Sequence, residues 1–173
     1  VGGAFTAVDE AMRGDVGWSG ALCTYVRAMT LIELGRIDEA RRHPLPAGVS
    51  RVDALAVDGI VRYYADDRAG AAAILDEVVQ RGRRGEPAQL LIPALVTLAE
   101  ASFHLGRWDE ASMHAELAVS LASDIDAYAG LVQARAAATE IQAARGQFAE
   151  ATGVPASTRM STLTRFTSSG EKL

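Results

Sequence analysis

The sequence predicts an all-α fold, a right-handed α-solenoid of antiparallel helix pairs with about four hairpins, the last of them incomplete. Three observations predict it. One turn is written twice, as Gly35-Arg36-Ile37-Asp38-Glu39-Ala40 and as Gly106-Arg107-Trp108-Asp109-Glu110-Ala111, each time after a leucine-ended helical pattern. Two weaker copies, Asp66-Asp67-Arg68-Ala69-Gly70-Ala71 and Gly146-Gln147-Phe148-Ala149-Glu150-Ala151, place the anchors at 35, 66, 106 and 146. The segments between anchors carry apolar residues at helical spacing, and no convincing strand run stands outside the C-terminal tail.

Each position of the turn has a physical task. The first residue follows a helix end and adopts a left-handed conformation, which costs glycine nothing and aspartate little, so Asp66 is a tolerable substitute. Two residues on, Ile37, Trp108 and Phe148 are bulky and apolar and would close the bottom of a hairpin. Ala40, Ala71, Ala111 and Ala151 follow three residues later, small enough for two helices to approach closely. Arg68 breaks the bulky rule in the second copy.

Helices are expected near 18–34, 36–43, 51–65, 68–82, 88–105, 107–122, 126–145 and 147–153, with a short one at 4–12. Pro44 and Pro46 stop the second early, and Pro93 kinks the fifth or marks its true start, because an interior proline removes a backbone donor. Leu91, Leu95, Leu98, Ser102 and Leu105 make one apolar face before Gly106. After it, Trp108, Ala111, Ala115 and Ala118 form one stripe and Met113, Leu117 and Leu121 a second, so both faces of that helix are expected to be covered. Asp124 and Asp126 read as an acidic connector that starts the next helix.

The 173 residues, 49% of them hydrophobic, suffice for one sizeable core. Residues 1–16 read as a lead-in, 17–154 as the repeats, and 155–173 as a polar tail rich in serine and threonine. Pro155 cuts the last helix short, and the tail is either a flexible terminus or an extended segment lying along a neighbouring surface. A net charge of −5 argues against direct binding of nucleic acid. The single cysteine, Cys23, allows no internal disulfide and sits among Ala21, Leu22 and Val26 as a small core residue. No apolar run approaches the roughly 20 residues that cross a bilayer, and no signal-peptide pattern opens the chain, so a cytoplasmic location without membrane contact is expected.

Catalytic signatures are missing. Gly14, Gly17 and Gly20 lack the lysine and the following serine or threonine of a phosphate loop, and read as a flexible approach to the first long helix. Glu100 with His104 and Glu110 with His114 are spaced four apart on adjacent helices. They read as ordinary exposed helix pairs, with a metal cluster as the alternative. His43 complements the end of a short helix. Ser19 and Cys23 have no nucleophile motif around them. The chain is therefore expected not to be an enzyme, with no catalytic residue, cofactor or metal ligand. Arg81, Arg83 and Arg84 form a basic cluster that reads as a solvated inter-repeat loop.

Tyr25, Tyr63 and Tyr64 fall on the first helices of their pairs and are the candidate partner-binding residues, with core packing as the competing fate of aromatics at this spacing.

Leu98, Ala99, Gly106, Trp108, Ala111 and Ala118 resemble the small-and-large pattern of the tetratricopeptide repeat, with Ala115 and Ser102 departing from it. More narrowly, residues 98–111 followed by His114-Ala115-Glu116-Leu117-Ala118 look like the helical-repeat region of large ATP-binding LuxR-type (MalT-like) transcriptional regulators of actinobacteria. In that family an ATP-binding module precedes the repeats and a helix-turn-helix module follows, and neither pattern is present here, so none of their functional residues carries over. The resemblance implies a non-catalytic sensor or protein-interaction region. Its partner would be a protein, a neighbouring domain of a longer chain, or a small-molecule effector. The alternatives are a free-standing adaptor that recruits a protein and a metal-dependent hydrolase.

Overall fold

The computed structural model describes residues 20–42 and 47–147. The expected helices at 4–12 and 147–153, the tail, His43, Pro44 and Pro46 lie outside these residues. Seven helices follow in order: α1 (Gly20–Glu33), α2 (Ile37–Arg42), α3 (Arg51–Tyr64), α4 (Arg68–Arg83), α5 (Leu91–His104), α6 (Trp108–Asp124) and α7 (Tyr128–Ala144). Among the described residues there is no strand, and no helix is long and apolar enough to cross a membrane.

Local chemistry explains where the helices start. Ser50 caps α3, its hydroxyl accepting from the Asp53 N–H at 3.0 Å, and Asp67 caps α4 by accepting from the Gly70 N–H at 3.0 Å. Asp38 and Glu39 open the short α2 and Arg41 and Arg42 close it, each charge matched to the helix end it occupies. Pro93 lies in the first turn of α5, so it marks the start of that helix, where its missing donor is one of the unbonded N–H groups in any case.

Six of the seven helices end by one device. The N–H of Arg36, Asp67, Glu86, Arg107, Ala127 and Gln147 each donates to the carbonyl five residues back, at 2.8–3.2 Å. The residue just before each of these, Gly35, Asp66, Gly85, Gly106, Asp126 and Gly146, has positive φ. This is the Schellman closure, and it occurs at the four anchors read from the sequence and at two more. Asp126 therefore terminates α6 (φ 51°), and α7 begins after Ala127 with no side-chain cap, contrary to the expectation that Asp126 starts it.

Each helix packs on its chain neighbours, and the odd-numbered helices also pack on one another in series, α1 on α3, α3 on α5, α5 on α7. Small residues permit this. Ala71, Ala94, Ala99, Ala111, Ala118 and Ala134 are fully buried, and Leu75, Leu95, Val78 and Ile60 fill the space between them. The main core runs from Ala21 to Ala137, and a smaller cluster of Ala99, Ala111, Ala115 and Ile141 joins α5, α6 and α7. Cys23 is buried as expected. Two expectations need correction. Trp108 remains 45% exposed, leaning on Phe103 with ring centroids 6.0 Å apart, and Met113 is 48% exposed, so the second stripe of α6 is covered only in part.

Candidate functional site

The odd-numbered helices carry a shared cleft near their C-terminal ends. It has a volume of about 230 Å³ and is lined by Tyr63 and Tyr64 from α3, Glu100, Phe103 and His104 from α5, and Ala137, Glu140 and Ile141 from α7. No hairpin builds it alone. The repeat register aligns its components, because Tyr63 and Tyr64 precede Asp66 by the same intervals as Phe103 and His104 precede Gly106. Glu100 and Glu140 likewise both stand six residues before a turn glycine, Gly106 and Gly146.

An aromatic row crosses the cleft. The rings of Tyr63 and Tyr64 lie 5.2 Å apart at 78°, edge to face, and Tyr63 lies 6.1 Å from the His104 ring. His104 is followed by Phe103 at 5.5 Å, and Phe103 by Trp108. Offset and edge-on contacts of this kind suit the quadrupoles of the rings and hold their orientations.

Carboxylates supply the charge. Glu100 is half-buried and hydrogen-bonded with Tyr63. Burial first, then the charge of Glu140, push its carboxyl up to about 7, against a weaker opposing effect of the Tyr63 bond. The Tyr63 and Tyr64 phenols are pushed up as well, chiefly by burial and next by Glu100. Tyr25 on α1 reaches the same neighbourhood and hydrogen-bonds Gln133 of α7. Burial raises its phenol, the Gln133 bond acts against that, and Glu100 and Glu33 add to the rise.

The three tyrosines singled out from the sequence are thus brought together on one face of the odd-numbered helices, each half-buried. Glu100, Phe103, His104 and Glu140 were not singled out as part of a binding face. The forty-residue register was the signal that could have found the two glutamates. The reading of exposed helix pairs holds for His104 and Glu110, which are exposed, and fails for their partners. Glu100 is half-buried against Tyr63, while His114 is 6% exposed, its Nδ1 without a hydrogen-bond partner and its imidazole held down by burial near Asp76 and Arg83. Among the described residues no three His, Cys, Asp or Glu side chains are grouped to hold a metal ion. In the basic cluster, Arg81 pairs with Glu77 at 2.7 Å and with Glu86 at 3.2 Å, and Arg84 lies 3.9 Å from Glu86.

No protein-family model matches the chain, and no curated protein or solved structure matches it.

Proposed function

We propose that this chain is a non-catalytic binding scaffold, a right-handed α-solenoid of antiparallel, tetratricopeptide-like helix pairs whose odd-numbered helices hold a polypeptide partner. The observation that carries this reading is the cleft itself, which three successive odd-numbered helices build jointly. Stacked repeats make such surfaces by aligning equivalent positions, whereas an isolated hairpin cannot. Connections of three residues between α3 and α4, α5 and α6, and α6 and α7 favour antiparallel neighbours. The sequence resemblance further suggests the sensor or interaction region of a LuxR-type ATP-dependent transcriptional regulator in the cytoplasm, with a neighbouring domain as one partner.

Selection of a displayed random-peptide library on the full 173-residue chain tests the binding role. The expected result is a set of enriched peptides whose binding slows amide exchange at the C-terminal ends of α3, α5 and α7. Failure to enrich any peptide, or protection confined to other helices, overturns it. The complete reading frame tests the regulator assignment: an upstream ATP-binding motif with a downstream helix-turn-helix supports it, and their joint absence leaves a free-standing adaptor.

A further inference from the structure

We infer that the cleft between α3, α5 and α7 recognises a basic side chain, an arginine or lysine of the partner polypeptide, with Glu100 and Glu140 as counter-ions and Tyr63 and Tyr64 as aromatic walls. This deepens the scaffold reading and rests on it.

Arg62 engages Asp58 and Asp67, Arg81 engages Glu77 and Glu86, and Arg145 reaches Asp109 at 2.8 Å. Among the described residues no arginine or lysine pairs with Glu100 or Glu140. Other carboxylates there, Glu116 and Asp124 among them, also stand without a cationic partner, but Glu100 and Glu140 are set apart by lining one cleft, where they repel each other. Two carboxylates at equivalent positions of packed neighbouring helices oppose folding unless a cation joins them. The aromatic walls suit the same guest. A guanidinium or ammonium is attracted to the face of a tyrosine ring within about 6 Å of its centroid, and Tyr63 and Tyr64, set at 78°, present faces in two directions.

Size and long-range charge narrow the source. A volume of about 230 Å³ is below the roughly 300–1,000 Å³ of sites for drug-sized ligands, so one side chain is a better fit than a whole small molecule. The net charge of −5 steers a basic partner toward the molecule.

Acidity supplies an independent handle. Glu100 titrates near neutrality, so the cleft holds less negative charge at pH 6 than at pH 8 and binds a cation more weakly there. Glu140 on α7 and Tyr63 on α3 act on it directly, Tyr64 on α3 and His104 on its own helix share the cleft, and Tyr25 and Glu33 on α1 and Arg68 at the start of α4 bear on the cleft tyrosines. His104 is a further ionisable side chain on the cleft wall, so a His104→Asn variant isolates the contribution of Glu100.

The experiment is calorimetric titration of the full chain with the enriched peptides and with versions in which each arginine or lysine is replaced by glutamine. Neutralising one basic residue is expected to weaken binding about tenfold or more, the usual size of a charge-assisted contact. Glu100→Gln and Glu140→Gln should each weaken the parent peptide and reduce the difference between parent and neutral versions, and the double variant should abolish it. Affinity should rise from pH 6 to pH 8 in the native chain and in His104→Asn, and stay flat when Glu100→Gln is combined with His104→Asn. Enriched peptides without basic residues, or basic peptides that lose less than about twofold on neutralisation, would sink this inference and leave the scaffold reading intact. Binding of a free alkylammonium ion as tightly as the basic peptide overturns the polypeptide assignment in favour of a small amine. Glutamine neutralises either carboxylate with little change of shape, and circular dichroism confirms that the variants fold.

Discussion

Single residues carry two tasks in this molecule that composition does not display. Asp53 is 3% exposed, and its carboxylate is fully engaged: one oxygen accepts from the Ser50 hydroxyl at 2.8 Å and the other from the Leu90 N–H at 2.9 Å. It thereby ties the start of α3 to the loop that leads into α5. Asp53→Ala leaves the Leu90 amide, itself buried, without a partner and removes the acceptor of the Ser50 hydroxyl, so a loss of about 2–4 kcal/mol is expected in urea unfolding. Asp53→Asn, which keeps an acceptor, should lose less. The signal in the sequence was the Ser50-x-x-Asp53 spacing. Its long-range partner was not legible, since 37 residues separate the two ends of that bond.

Glu100 acts in the opposite sense on stability. Its carboxyl is raised in the folded chain from its ordinary 4.5 to about 7, so between these values the folded state binds more protons than the unfolded state. Stability from this group is therefore greatest below about pH 4.5 and falls as pH rises toward 7. One pKa unit corresponds to about 1.4 kcal/mol, and partial exposure reduces the full effect, which gives about 1–3 kcal/mol. Glu100→Gln should be more stable than the native chain by that amount at pH 8 and no more stable at pH 4.5. Denaturant midpoints at the two pH values measure it. A substitution that strengthens the fold while weakening a basic ligand separates a binding carboxylate from a structural one.

At the level of the helix, the recurring unit is shorter than the repeat read from the sequence. Left-handed closures at 66, 85, 106, 126 and 146 fall about twenty residues apart, one per helix, so the forty-residue similarity spans two closures. The copies at Gly85 and Asp126 escaped notice because the residues after them do not repeat the bulky-then-small pattern. Helix contacts are equally specific. A Cβ added at Gly59 on α3 would stand 2.6 Å and 2.7 Å from Leu75 Cγ and Cδ2, and Leu75 on α4 is fully buried. Gly59→Ala gains about 1 kcal/mol in helix propensity, but crowding a packed side chain costs about 1–3 kcal/mol. A net loss of up to about 2 kcal/mol is expected in thermal or chemical unfolding. A gain of the full propensity value would show that α3 and α4 can separate without cost.

Across the whole molecule, packing is graded. Helix α5 touches α3, α4, α6 and α7 and buries nine residues, whereas the six-residue α2 buries only Ala40. Local opening is easiest where few apolar contacts must break. Native-state hydrogen exchange should find the slowest amides in α5 and the fastest helical amides in α2. Equal protection in the two would contradict the graded core. The same central position of α5 explains the site, because its neighbours α3 and α7 lie on either side of Glu100 and supply the tyrosines and the second glutamate.

The sequence by itself determined the helices and most of their ends. A 3.6-residue apolar rhythm, glycine or aspartate closing every helix but α2, and alanine at the close approaches are local properties, and local sterics and hydrogen bonding decide them. It also placed Tyr25, Tyr63 and Tyr64 on the helices that meet. Tertiary structure alone decided burial and charge environment. Glu100 with His104 and Glu110 with His114 have the same spacing of a solvated helix pair, and nothing within one helix distinguishes them from such a pair. Desolvation by a neighbouring helix makes Glu100 half of an acidic cleft and leaves His114 enclosed near α4. Desolvation depends on which atoms surround a group, and those atoms come from segments tens of residues away.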